Sequence, residues 1–191
     1  ALPILLFEEY RQHVGGVVIR LVPQKNFAVF LDVAAQFVAK NPEVIFIIAG
    51  TGSQEAELKA KADSLGLGSH VRFLGHVTDR ISLYHALDVL LMTSDFEGTP
   101  MTLLEAMASG LPVMASAVDG VAEVCTNEGD ALLVPARDVR GFVSALERVL
   151  GGAGLARKLG ANARATILEG YEIRGLVRRI EALYEAVLEE Q

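Results

Sequence analysis

The sequence predicts an α/β fold: a Rossmann-like six-stranded parallel sheet with helices on both faces and extra helices at the C-terminus. Three observations predict it. Strand-length apolar runs alternate with stretches of helical apolar spacing, the pattern of successive βα units. The runs at residues 44–49 and 89–92 are apolar throughout rather than alternating, which suits strands covered on both faces. Capping residues and glycines stand at the boundaries, among them Ser53, Gly66, Gly110 and Asp138.

Taken in order, residues 15–21 form the first strand. Residues 26–40 follow with Phe27, Phe30, Leu31, Ala34, Phe37 and Val38 on one helical face, and Pro42 closes that region. Residues 44–49 are the second strand. Residues 53–65 form a helix capped by Ser53 and stopped by Gly66. Residues 71–74 are the third strand, and Thr78 caps a short helix through Ala86. Residues 88–93 and 112–116 are the fourth and fifth strands. Between them Thr99 serves as N-cap, Pro100 suits the first helical position, and an Ala-rich helix stops at Gly110. A short helix over 120–125 precedes the sixth strand, 131–134. Asp138 starts a helix to Leu150, and residues 154–168 and 173–190 are two more helices with no strand between them. Residues 151–154 are at most a hinge. Residues 15–191 therefore read as one domain, and residues 1–14 as a linker or truncation remnant.

Composition narrows the function. In 191 residues, 51% are hydrophobic and 21% charged, enough to build a core and too apolar for disorder. A net charge of −7 argues against nucleic acid, which wants basic clusters. One cysteine, Cys125, permits no internal disulfide and fits a reducing compartment. The apolar runs are too short to span a membrane. Residues 1–7 are apolar but lack a basic flank and a cleavage pattern, so no signal peptide is expected. The expected location is the cytoplasm, including the inner face of the membrane as a peripheral protein.

The most informative stretch is 93–110. A strand, a turn containing Gly98 and the free N-terminus of a helix make an anion site, with Thr102 and Leu103 in the first turn. Glu97 in the turn and Glu105 in the second helical turn bracket it. Leu103, Leu104, Ala106, Met107 and Ala108 surround Glu105, and a carboxylate in such company needs a partner.

Glu97, Gly98, Thr99, Pro100, Glu105 and Ala106 keep the spacing E-G-x-P-x-x-x-x-E-A. This resembles the signature of the group 4 retaining glycosyltransferases of GT-B fold. The resemblance covers roughly residues 15–190 and only the carboxy-terminal, donor-binding half of such an enzyme. It implies that Glu97 meets the donor sugar and that Glu105 grips the ribose hydroxyls. It also implies nucleotide contacts from Gly98, Thr99, Pro100, Met101, Thr102 and Leu103. An amino-terminal acceptor-binding half is implied as partner, and residues 171–191 resemble the closing helix that crosses back toward it.

After the first strand, Arg20, Leu21, Lys25 and Asn26 match the family's Gly-Arg-Leu…Lys-Asn pattern, with Ile19 in place of the glycine. By resemblance Arg20 and Lys25 hold the diphosphate, and with Glu97 they make the catalytic set. The chemistry suits them: a guanidinium forks onto phosphate oxygens, and an ammonium supplies a mobile point charge. Gly75-His76-Val77 corresponds to the loop near the base, which assigns His76 and Val77 to the nucleotide. Asp119-Gly120-Val121-Ala122-Glu123 resembles a family Gly-Gly-x-x-Glu, with Asp119 replacing the first glycine.

Other features carry less. Gly50-Thr51-Gly52 lacks a third glycine and reads as a tight turn. His13, His70 and His85 show no ligand spacing and there is no Asp-x-Asp pair, so no metal or cofactor is expected. Cys125 sits among apolar residues and reads as structural. The expected function is thus donor binding, with a UDP- or GDP-sugar, in a retaining and metal-independent glycosyltransferase. The isolated domain is expected to be inactive. A nucleotide-sugar epimerase on the same scaffold and a non-enzymatic nucleotide-sugar-binding module are the alternatives.

Overall fold

The computed structural model describes residues 14–18 and 20–189. The expected linker (apart from Val14), His13 and the Ile19 departure lie outside the described residues. Six strands form one sheet: β1 (Val14–Val18), β2 (Ile45–Ala49), β3 (Val71–Gly75), β4 (Val89–Met92), β5 (Val113–Ser116) and β6 (Leu132–Val134). All neighbours pair in parallel, in the order β3-β2-β1-β4-β5-β6. The helices are α1 (Phe27–Val38), α2 (Glu55–Ser64), α3 (Arg80–His85), α4 (Met101–Ala108), α5 (Asp119–Ala122), α6 (Val139–Gly151), α7 (Ala153–Gly170) and α8 (Ile173–Glu189). A 3-10 turn, Pro23–Lys25, precedes α1.

The apolar strands split their side chains between two cores, because successive residues of a strand point to opposite faces. Phe46, Ile48 and Leu91 join Phe30, Phe37, Leu58, Phe142 and Leu146 from α1, α2 and α6 on one face. Ile47, Leu90 and Met92 join Leu83, Leu103, Met107, Ala163 and Ile167 from α3, α4 and α7 on the other. Fully apolar runs were therefore the right sign of a double-sided sheet. The apolar stripe of α8 is different: Ile173, Leu176, Ile180, Leu183, Tyr184 and Val187 are exposed.

Several expected helix starts move by one residue or more. Asp79, not Thr78, caps α3 and accepts from the Ser82 N–H, because its carboxylate reaches three residues ahead. Gln54, not Ser53, precedes α2. Pro100 occupies the N-cap of α4 with extended backbone, so Thr99 does not cap it. The helix expected over 120–125 is only α5, which begins at Asp119. Asp138 does cap α6, accepting from the Gly141 N–H at 3.0 Å, and Gly66 and Gly110 end α2 and α4 in left-handed conformation.

The strand order places the site. Connections from β1 and from β4 leave to opposite sides of the sheet, so their carboxyl ends part and open a crevice between β1 and β4.

Candidate functional site

Four loops meet at that crevice. The loop after β1 carries Arg20 and Lys25, the loop after β2 carries Gly50 and Thr51, the loop after β3 carries His76 and Val77, and the loop after β4 carries Glu97 into α4. They line a cleft of about 570 Å³ whose walls include Arg20, Lys25, Gly50, Thr51, His76, Val77, Thr78, Arg80, Pro100, Met101 and Thr102. Arg20 and His76 are exposed within it. Of the residues read from the sequence, Arg20, Lys25, His76, Val77, Pro100, Met101 and Thr102 are brought to one wall or another of this cleft. Gly98 and Thr99 are exposed in the turn just before α4, outside its lining.

Leu103 departs from the expectation of an open first-turn N–H. With Pro100 at the N-cap, the Leu103 N–H already donates to the Pro100 carbonyl at 2.9 Å, and its side chain is buried in the core. The helix end that faces the cleft is Met101–Thr102, on the positive pole of the α4 dipole.

Glu97 is buried, and its surroundings explain how. Lys25 Nζ donates to Glu97 Oε1 at 2.6 Å and to Oε2 at 2.7 Å, and Ser94 Oγ donates to Oε1 at 2.6 Å. A carboxylate taken from water needs such a counter-charge and donor. Glu105 is half-buried on the second turn of α4. Its Oε2 accepts from the Tyr84 hydroxyl at 2.8 Å and its Oε1 lies 3.0 Å from the Arg80 guanidinium. Burial, then the Glu105 hydrogen bond and charge, push the Tyr84 hydroxyl well above the ordinary tyrosine range, so it stays a donor. Sequence reasoning missed Tyr84, Arg80 and Ser94. The first two had a signal: four residues apart on one short helix, they share a face.

The turn between Glu97 and α4 is fixed by backbone contact. The Gly120 N–H donates to the Glu97 carbonyl at 3.2 Å, and a Cβ built on Gly120 would lie 1.4 Å from the Gly98 carbonyl oxygen. Only glycine permits that approach. The retained glycine of the 119–123 motif thus packs the Glu97 turn. Gly52 does the same for the loop after β1, since its Cβ would lie 2.2 Å from the Leu21 carbonyl oxygen.

Among the described residues, no group of three or more His, Cys, Asp or Glu could hold a metal ion. No helix there is long and apolar enough to cross a membrane.

Cations and a helix N-terminus thus meet at the switch point of a doubly wound α/β domain, where they make one wall of the cleft electropositive. The chain belongs to the family of group 1 glycosyl transferases, whose sequence pattern matches residues 11–166. It is 33% identical over 168 residues to the Escherichia coli UDP-Gal:alpha-D-GlcNAc-diphosphoundecaprenol alpha-1,3-galactosyltransferase, covering 86% of this chain and 43% of the relative. It is 31% identical over 176 residues to the lipopolysaccharide core biosynthesis mannosyltransferase LpsB of Rhizobium meliloti, covering 88% of this chain and 50% of the relative. The chain thus spans about half the length of these curated relatives or less. In fold it is similar to Anabaena HepE in complex with UDP, with a TM-score of 0.89 at 23% identity over 95% of this chain and 51% of that one. It is also similar to the C-terminal domain of the group 1 family protein LpcC from Francisella tularensis, with a TM-score of 0.79 at 22% identity, covering 89% of this chain and 92% of that one. The fold is therefore that of a GT-B glycosyltransferase C-terminal domain.

Proposed function

We propose that this chain, over residues 15–191, is the donor-binding domain of a retaining glycosyltransferase that takes a sugar from a nucleoside diphosphate sugar. One observation carries the reading: Arg20, Lys25 and the N-terminus of α4 converge on a single cleft at the sheet's switch point, flanked by two partnered glutamates. As the anomeric C–O bond breaks, the leaving diphosphate gains charge. Arg20, Lys25 and the N-terminus of α4 at Met101–Thr102 stabilise that charge, so no metal is required. Glu105 accepts from the ribose hydroxyls, and Glu97 faces the donor sugar, where positive charge builds. His76 and Val77 flank the base.

Family membership supports the enzyme class, and relatives and neighbours named for UDP or a UDP-sugar favour UDP over GDP as the nucleotide. The acceptor belongs to an amino-terminal half outside this chain, which would cover the exposed stripe of α8. Without that half the acceptor is neither held nor shielded from water, and this domain transfers no sugar at a useful rate. A thermal-shift screen of nucleoside mono- and diphosphates and of nicotinamide and adenine dinucleotides, in chelator, tests the reading. UDP or GDP should raise the melting temperature in preference to adenosine phosphates. A response only to nicotinamide or adenine dinucleotides would overturn it.

A further inference from the structure

We propose that Asp95 is a positioning residue that, with Arg137, holds the Lys25 turn against Glu97. Asp95 lies outside the nucleotide cleft, beside a separate shallow groove that it shares with Asn26 and Arg137. Its carboxylate ties three loops together. Asn26 Nδ2, beside Lys25, donates to Oδ1 at 2.8 Å. Arg137, from the loop after β6, donates through Nε to Oδ1 and through Nη2 to Oδ2, both at 2.9 Å. Asp95 itself stands two residues before Glu97. A fork-to-fork guanidinium pair of this kind fixes direction as well as distance.

The surrounding backbone shows what the clamp holds. The Asp95 N–H donates to the Gln24 carbonyl at 2.9 Å, Gln24 Nε2 donates to the Phe96 carbonyl at 2.8 Å, and the Thr93 hydroxyl reaches the carbonyls of Lys25 and Asn26 at 3.2 Å. Lys25 and Glu97 thus ride on two loops stitched on both sides of their ion pair. Asn26 and Arg137 both have left-handed backbone, with φ of 47° and 66°, and both donate to this one carboxylate. Asparagine adopts that conformation readily, but for arginine it is uncommon and is held by surrounding contacts. An isolated surface pair would not need it.

The nucleotide arm of the test rests on the donor-binding reading above; the other arm does not. The first readout is the Lys25 ammonium in ¹⁵N NMR of the whole chain, whose protons exchange slowly while Glu97 and the burial around it hold them. Asp95→Ala, and the exposed-site variant Arg137→Gln in case the first does not fold, should each speed that exchange and broaden the signal. The second readout is calorimetry with UDP. Asp95→Ala should weaken binding about tenfold, Arg137→Gln about threefold, and Asp95→Ala should add nothing once Lys25→Met is present. Unchanged Lys25 exchange in the folded Arg137→Gln and Asp95→Ala proteins would overturn the proposal, as would full additivity with Lys25→Met. If wild-type protein ignores UDP, the donor reading fails, and the clamp is then judged by ammonium exchange alone.

Discussion

Lys25 and Glu97 are bound to each other: the ammonium lies 2.6 and 2.7 Å from the two carboxylate oxygens, and both side chains are largely withdrawn from solvent. In the proposed function the lysine serves the diphosphate and the glutamate serves the sugar. The pair stores both charges at the place where the donor's phosphate-to-sugar bond would lie. A bound diphosphate would share or draw off the ammonium and so expose Glu97 to the sugar.

The first prediction concerns stability. Lys25→Met leaves Glu97 buried without its counter-charge and should cost about 3 kcal/mol, since losing one partner of a buried pair is expensive. The double variant Lys25→Met/Glu97→Gln should recover much of that loss, while nucleotide binding stays weak. Urea denaturation of the three proteins decides. A double variant no more stable than Lys25→Met would show that the loss does not come from the stranded Glu97 charge.

The second concerns ligands. Glu97→Gln removes a negative charge while the Asp95 clamp still holds the Lys25 turn in place, so UDP should bind at least as tightly as to wild type. A UDP-sugar should lose about tenfold, the worth of one charge-assisted hydrogen bond. Titrating both ligands separates sugar from phosphate recognition; equal weakening of the two would show that Glu97 does not discriminate between them.

A third follows from the close approach at Gly120. Gly120→Ala puts a methyl group 1.4 Å from the Gly98 carbonyl oxygen, and backbone must move. The variant should lose about 2–3 kcal/mol, typical of overpacking without a soft neighbour, and should bind UDP more weakly because the turn at Gly98 carries the N-terminus of α4 with it. Gly68→Ala, which meets nothing within 4 Å, is the matched control and should be near neutral.

Cys125 supplies a fourth. Burial, with the Asp130 charge adding to it, pushes its thiol up to about 12. The nucleophile is the thiolate, so the folded protein should resist a thiol reagent at pH 8 and react fully once denatured. Rapid modification of the native protein would contradict this burial.

The fold was legible where one residue type decides. Strands β2 and β4 were visible as unbroken apolar runs, and Asp138, Gly66 and Gly110 declared helix ends by their own chemistry. The starts of α2, α3 and α4 were harder, because polar residues adjoin there. Thr78 and Asp79 both suit an N-cap, and it is the second whose side chain accepts from the Ser82 N–H. Pro100 suits either the N-cap or the first helical turn. In the candidate site, Glu97 and Glu105 announced themselves by spacing, and Glu105 by its apolar helix. Their partners did not. Lys25 and Ser94 on Glu97, Tyr84 and Arg80 on Glu105, and Arg137 on Asp95 mostly come from other loops or elements, and no periodicity records a contact 72 or 42 residues away. The left-handed Asn26 had only its residue type as a hint.

The most direct measurement is calorimetric titration of UDP into the wild-type chain and into Glu105→Gln, in buffer containing chelator. Saturable binding without divalent metal is expected. Binding to Glu105→Gln should be at least tenfold weaker, because a carboxylate that accepts from ribose hydroxyls is worth about 1.5 kcal/mol or more. An absolute requirement for magnesium, or Glu105→Gln binding UDP as tightly as wild type, would contradict the donor-binding reading.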